Sequence, residues 1–230
     1  MDMSPARRPI RSWARTIFFV GLVSFLTFGA GFSVLRGPTR TPIAGPEFPI
    51  IGSDAHTIGS PDAPVQLFVY MDLDCAYCKW FHTITLPRIL AAHGADVLVI
   101  YREFPLASHP FAYPAAQAAE CAYAEGGNAA YFAFVDRLYA AMRPDETYPP
   151  SILTDTAQAI GLDNRAFNRC LDTGSEKAAV DRDRLEGSIA GATQAPSILI
   201  RHDNRSILVT GNYPAQIEAA IEYFMHSITS

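Results

Sequence analysis

The stretch Cys75-Ala76-Tyr77-Cys78 constrains this chain more than any other, because of what flanks it. Before it runs Val65-Gln66-Leu67-Phe68-Val69-Tyr70-Met71, an apolar run that reads as a buried strand. After it, Lys79 to Leu86 reads as helix. A strand feeding a helix that opens on C-x-x-C is the setting in which that motif does redox chemistry. The unpaired N–H groups and positive dipole end of the helix favour a thiolate on Cys75. Cys78, one helical turn further on, is placed to close a disulfide onto it. Asp72 and Asp74 stand just upstream and push the Cys75 thiol the other way.

Two other uses of the motif meet less support. A structural zinc site needs a second pair of ligands. Cys121 and Cys170 belong to no second C-x-x-C, and the six histidines show no ligand spacing. No metal and no cofactor is therefore expected. A purely structural disulfide at Cys75 and Cys78 would leave the strand-to-helix setting without a purpose.

Residues 1–15 form a basic segment, with Arg7, Arg8, Arg11 and Arg15 against Asp2 alone. Without it the chain holds 14 basic and 22 acidic side chains, a formal charge of −8, which speaks against nucleic acid as a partner. Thr16 to Leu35 carries no charge over 20 residues, enough to cross a bilayer as a helix. The arginines before it mark the cytoplasmic side, which places the remainder across the membrane. Residues 16–35 thus read as a transmembrane anchor or export signal. Their length favours an uncleaved anchor, although Gly29-Ala30-Gly31 offers small residues for cleavage. Residues 36–58, rich in proline and glycine at the start, read as a linker. Four cysteines beyond an export segment fit an oxidising compartment.

The body begins near Gly59. The helix holding the cysteines is expected to reach about Ala92, with a kink at Pro87 and a stop at Gly94. Val97 to Tyr101 reads as a second buried strand, completing a βαβ unit with parallel pairing. From about 112 to 190 the texture turns helical, punctuated by Gly126-Gly127, Pro149-Pro150 and Gly161. Strand character returns at Pro196 to Ile200 and Ser206 to Thr210 around a turn at His202 to Arg205. A last helix from about Ala215 carries Ile217, Ala220, Ile221 and Phe224 on one face. Trp80, Phe81 and the aromatics Tyr113, Tyr123, Tyr131, Phe132, Phe134 and Tyr139 read as core. Arg102 and Glu103 read as a surface pair, and His109 is assigned no chemistry.

This order of elements resembles the DsbA-like thiol:disulfide oxidoreductases of the thioredoxin superfamily. The resemblance rests on GSPDAPVQLFVYMDLDCAYCKWF, on YREFPLASHPFAYPAAQAAECAYAEGG, on the cysteine-bearing segment Phe167 to Asp172 and on Ala195-Pro196. It implies an α/β fold: a thioredoxin-like domain over 59–230 with a helical domain inserted at about 112–190, preceded by a transmembrane helix. It further implies Cys75 as nucleophile, Cys78 as resolving thiol, Pro196 as a cis-proline facing them and Ala195 as the residue whose backbone pairs with substrate. Cys121 and Cys170 correspond to the second disulfide of some members. Ala76 departs from the proline common after the first cysteine, and Ala195 from the threonine or valine common before the cis-proline.

The function implied is introduction of disulfides into unfolded or partly folded exported proteins bearing free thiols. A membrane or soluble redox partner would reset the pair. The catalytic domain would lie in the periplasm, held to the inner membrane by a single pass, or exported and soluble if the N-terminal segment is cleaved. An isomerase or reductase on the same fold is the nearest rival. From another class comes a redox-inactive metal-handling assembly factor, which no Met-rich or His-rich segment supports.

Overall fold

Strands β1 (His56–Gly59), β2 (Val65–Met71), β3 (Val97–Glu103), β4 (Ser197–His202) and β5 (Arg205–Thr210) form one mixed sheet in the order β1-β3-β2-β4-β5. The computed structural model describes residues 51–52, 54–143, 148–149 and 151–229. The expected membrane segment, 16–35, lies outside the described residues. Among those described, no helix is long and apolar enough to cross a membrane.

β2 and β3 pair in parallel, with Val65 opposite Val97 and Met71 opposite Glu103. The remaining pairings, β1 with β3, β2 with β4 and β4 with β5, are antiparallel. Every residue of β3, and all of β2 but Gln66, is buried. Burial on both faces explains why these runs read as continuous apolar stretches rather than as alternations. β1 falls in the segment read as linker. Its inward position is occupied by a histidine, which masks the apolar pattern: His56 stacks on Tyr131 at 3.7 Å and bonds Glu120 at 2.8 Å.

Between β2 and β3 the chain forms α1 (Ala76–Trp80), a π-helical turn (Phe81–Thr85) and α2 (Leu86–His93). Where a kink was expected at Pro87, the helix widens before it. Proline lacks the N–H that an α-helical turn needs, and a π turn is one way a helix absorbs such a break. α2 then begins with Pro87 in its first turn.

The helical block follows as α3 (Ala112–Ala141), α4 (Ile152–Ala159), α5 (Asn164–Thr173) and α6 (Lys177–Ile189). Gly127, at φ 66° and ψ −159°, breaks α3 into two helical stretches. Apart from its own stretch of chain, nothing among the described residues lies within 4 Å of where its Cβ would be, so backbone conformation rather than space calls for glycine here. α5 is defined at both ends, by the Asp163 carboxylate accepting from the Ala166 N–H at 2.7 Å and by left-handed Gly174. A Cys121–Cys170 disulfide, Cα–Cα 5.9 Å, ties α5 to α3. The last helix, α7 (Pro214–Thr229), buries Ile217, Ala220, Ile221 and Phe224, the face its sequence marks out.

Arg102 and Glu103 are buried, not a surface pair. Arg102 donates through Nε to Glu186 at 3.1 Å and lies 3.6 Å from Asp183. Glu103 accepts from the Tyr131 hydroxyl at 2.6 Å and donates its backbone N–H to Asp183 at 3.1 Å. These bonds fasten the end of β3 to α3 and α6, holding the helical block against the edge of the sheet from which the C-x-x-C loop emerges.

Candidate active site

β2 ends at Met71, and a short turn built by Asp72 delivers the cysteines to the helix. The Asp72 carboxylate accepts the Asp74 N–H at 2.8 Å, closing the turn. It also accepts the Leu106 N–H at 2.9 Å and the His109 Nδ1–H at 2.8 Å. Its backbone carbonyl accepts from the Tyr139 hydroxyl at 3.1 Å and from the Cys75 N–H at 3.2 Å. Its backbone N–H points at the sulfur of Cys78, 3.4 Å away. Asp74 in turn accepts the Phe111 N–H at 3.2 Å. The turn is therefore clamped on one side by the loop that leads into α3 and on the other by α3 itself.

Cys75 occupies the N-cap of α1 in an extended conformation, so its sulfur faces the open end of the helix. Both cysteines are free thiols and both are buried, Cys75 at 5% exposure and Cys78 at 0%. A hydrogen bond from the Cys78 thiol lowers the Cys75 thiol, and the N–H groups of Cys78 and Tyr77 add to this. Burial and the charge of Asp72 oppose them, and the thiol settles at about 6. Cys78 is pushed the other way, well above the ordinary thiol value, by complete burial and by the neighbouring Cys75.

Opposite the pair, the Ala195–Pro196 peptide is cis, and the Ala195 carbonyl oxygen lies 3.5 Å from the Cys75 sulfur. The structure thus brings Cys75, Cys78, Ala195 and Pro196 together. Cys121 and Cys170 are bonded to each other instead, in the helical block. Among the described residues, no group of three or more His, Cys, Asp and Glu side chains is arranged to hold a metal ion.

Several residues at the site were not singled out from sequence. His109, given no chemistry there, is bonded to buried Asp72, and its imidazole rises above the ordinary histidine range. Burial works against the charged ring, but the hydrogen bond and charge of Asp72 overcome this, with help from Cys75 and Asp74. His82, in the π turn, lies 2.8 Å from the Tyr101 hydroxyl and donates to Asp136 at 2.6 Å. Trp80 is not core: with Tyr77 and Ile84 it forms an exposed apolar line on the active-site helix, at 55%, 64% and 51% exposure respectively. Phe81, by contrast, is fully buried. An i, i+3, i+7 reading from Tyr77 would have found the line, had Trp80 not been counted as core.

The family model described as thioredoxin matches residues 53–222, and the chain belongs to that family. Its fold is that of the DsbA-like thiol:disulfide oxidoreductases, a thioredoxin-like α/β domain with a helical insertion. Wolbachia pipientis alpha-DsbA1 is similar with a TM-score of 0.66 at 22% identity, over 77% of this chain and 94% of that one. Chlamydia trachomatis DsbA is similar with a TM-score of 0.65 at 18% identity, over 79% of this chain and 97% of that one. Oxidised BdbD from Bacillus subtilis gives a TM-score of 0.64 at 20% identity, over 74% and 92%.

Curated relatives by sequence carry another name. The Na(+)/H(+) antiporter NhaA 1 of Mycolicibacterium gilvum is 39% identical over 111 residues, 45% of this chain and 18% of the antiporter. The NhaA antiporter of Herminiimonas arsenicoxydans is 29% identical over 167 residues, 72% of this chain and 25% of the antiporter. The chain spans about a fifth to a quarter of the length of these relatives, so the likeness concerns one segment of each.

Proposed function

We propose that this protein is a thiol:disulfide oxidoreductase that introduces disulfides into exported proteins through the Cys75–Cys78 pair. The observation that carries this reading is the split between the two thiols, one lowered to about 6 and one raised by burial, beside the Ala195 carbonyl. In the oxidised enzyme a substrate thiolate attacks the Cys75 sulfur. A substrate–Cys75 bond forms, the Cys75–Cys78 bond breaks, and Cys78 leaves with the electron pair and takes up a proton. A second substrate thiolate then attacks the substrate sulfur of this mixed disulfide. The substrate disulfide forms and Cys75 leaves as the thiolate that its surroundings stabilise. Two electrons have passed from the substrate to the enzyme.

A stabilised Cys75 thiolate favours the reduced enzyme, which is the property of an oxidant rather than a reductant. Ala195 presents backbone to an extended substrate beside Cys75, in the manner of strand addition. The apolar segment 16–35 supports a membrane anchor with the catalytic domain on the periplasmic side. A membrane or soluble redox partner would return the pair to the disulfide.

The test is oxidation of a reduced, unfolded disulfide protein by the full chain. Cys75→Ser should abolish turnover, and Cys78→Ser should accumulate mixed disulfides with substrate. Full turnover by Cys78→Ser would overturn the assigned roles. Reduction of substrate disulfides outpacing their formation in a glutathione buffer would reverse the direction.

A further inference from the structure

Asp72 and His109 form a side-chain ion pair at the active site whose two members stand on different elements, the C-x-x-C turn and the loop between β3 and α3. Asp72 is fully buried, while His109 keeps about a third of its side chain exposed, at 31%. Asp72 touches the chemistry through its backbone, offering its N–H to the Cys78 sulfur and its carbonyl to the Cys75 N–H. Its carboxylate is a negative charge held close to the nucleophile, where it works against a thiolate on Cys75. A carboxylate so placed would weaken an oxidant unless something balances it.

We propose that His109 is a positioning residue that supplies this balance: as an imidazolium bonded to Asp72 Oδ2 it neutralises the carboxylate that faces Cys75, and so sets how strongly the thiolate, and with it the reduced enzyme, is favoured. The inference rests on the redox reading of Cys75 but not on its direction. Three observations carry it. The bond is short, at 2.8 Å, and runs to the same oxygen that accepts the Leu106 N–H, so the ring is fixed by the backbone of its own loop. The coupling is mutual, since the charge of Cys75 raises the His109 ring. By linkage the charged ring must stabilise the thiolate by the same amount. Finally, the other charged or titratable groups around Asp72 cannot take its place. Asp74 and Glu103 could add only negative charge, and Tyr139 and Tyr148 are phenols that burial keeps neutral. Lys79, on α1, donates to the Met142 carbonyl oxygen at 2.8 Å instead.

The sign follows. While His109 is protonated, Asp72 is balanced and Cys75 is readily a thiolate. As pH rises through the elevated His109 value, the positive charge is lost and Asp72 is left facing the sulfur. The thiolate is then less favoured, and the enzyme becomes a weaker oxidant.

Ultraviolet titration of the Cys75 thiolate in the reduced full chain reads this without reference to activity. His109→Gln keeps an N–H for Asp72 and removes the charge. It should raise the thiolate midpoint by about one unit, equivalent to a roughly tenfold change in the equilibrium with glutathione. His109→Lys should return the midpoint towards that of the unmodified protein. An unchanged midpoint in folded His109→Gln, or one that His109→Lys fails to restore, would overturn the proposal. Should neither variant fold, NMR titration of the His109 ring in the unmodified protein decides. The ring must titrate at higher pH in the reduced than in the oxidised form, and equal values would end the argument. Loss of disulfide-forming activity with these shifts intact would fault the proposed function and leave the pairing standing.

Discussion

Cys78 donates its thiol proton towards the sulfur of Cys75, so one motif holds two thiols displaced in opposite directions. The donor is wholly buried and holds its proton; the acceptor sits on a helix N-terminus and gives its proton up near pH 6. This asymmetry leads to the first prediction.

In the reduced protein the Cys75 thiol is lowered to about 6, from an unfolded value near 9. A depressed value adds stability that is present at high pH and lost as pH falls through about 6. The oxidised protein has no such term. The melting temperature of the reduced form should therefore gain on that of the oxidised form between pH 5 and pH 8. Calorimetry in the two redox states measures the difference, and alkylation of Cys75 by iodoacetamide should show a midpoint near 6 while Cys78 stays unreacted. A melting difference that does not vary with pH would mean that Cys75 is not a stabilised thiolate.

Gly187 marks where α6 comes closest to the sheet. A Cβ there would lie 2.7 Å from Phe104 Cδ2 and 2.8 Å from Tyr70 Cδ1, two rings in the core. Gly187→Ala should destabilise by about 1–3 kcal/mol through overpacking, partly offset by the better helix propensity of alanine. A lower urea midpoint with an unchanged slope would show this. Because the clash lies on the helical-block side of the sheet, the reactivity of Cys75 should remain.

The parts of the molecule that declared themselves in sequence are those whose neighbours are local. β2 and β3 showed as apolar runs because both faces are covered, and α7 showed its buried face at helical spacing. Cys75 and Cys78 were legible because strand, turn and helix follow one another without interruption. What stayed hidden depends on distant partners. His56 opens a strand because Glu120, 64 residues away, accepts its bond. Arg102 is tolerated inside because Asp183 and Glu186 reach it from α6. His109 and Asp72 are 37 residues apart, and nothing in either segment points to the other. Polar residues in buried positions erase the alternation from which strands and cores are read, and this protein places them where the helical block meets the sheet.

Cys121 and Cys170 join α3 to α5 across a sequence separation of 49. Closing a loop of that size restricts the unfolded chain by about 4 kcal/mol in the chain-entropy treatment. The double variant Cys121→Ala, Cys170→Ala should lose stability up to that amount and keep the active-site thiols as they are. Denaturant unfolding of the oxidised proteins gives the first quantity, and the pH profile of Cys75 alkylation gives the second. A change in the alkylation profile would tie the disulfide to the active site and remove its purely structural role.

Glu103 supplies a last test, of the buried polar cluster. Its carboxyl group is fully buried, accepts one bond from Tyr131, and has an oxygen, Oε2, without a hydrogen-bond partner among the described residues. Burial, reinforced by the charge of Glu120, pushes it well above the ordinary value, so the fold favours its protonated form. Unfolded, it would ionise from about pH 4.5 upwards. A raised carboxyl value means that the native state binds more protons, so stability falls as pH rises above that point. Glu103→Gln keeps the shape and the bond from Tyr131 and cannot ionise. The variant should therefore lose less stability than the unmodified protein between pH 5 and pH 8, and should be the more stable of the two at pH 8. Some slope will remain, because Asp183, raised to about 7 chiefly by burial, titrates in the same window. Urea midpoints at the two pH values measure the comparison. Parallel behaviour of the two proteins would show that Glu103 is ionised in the fold.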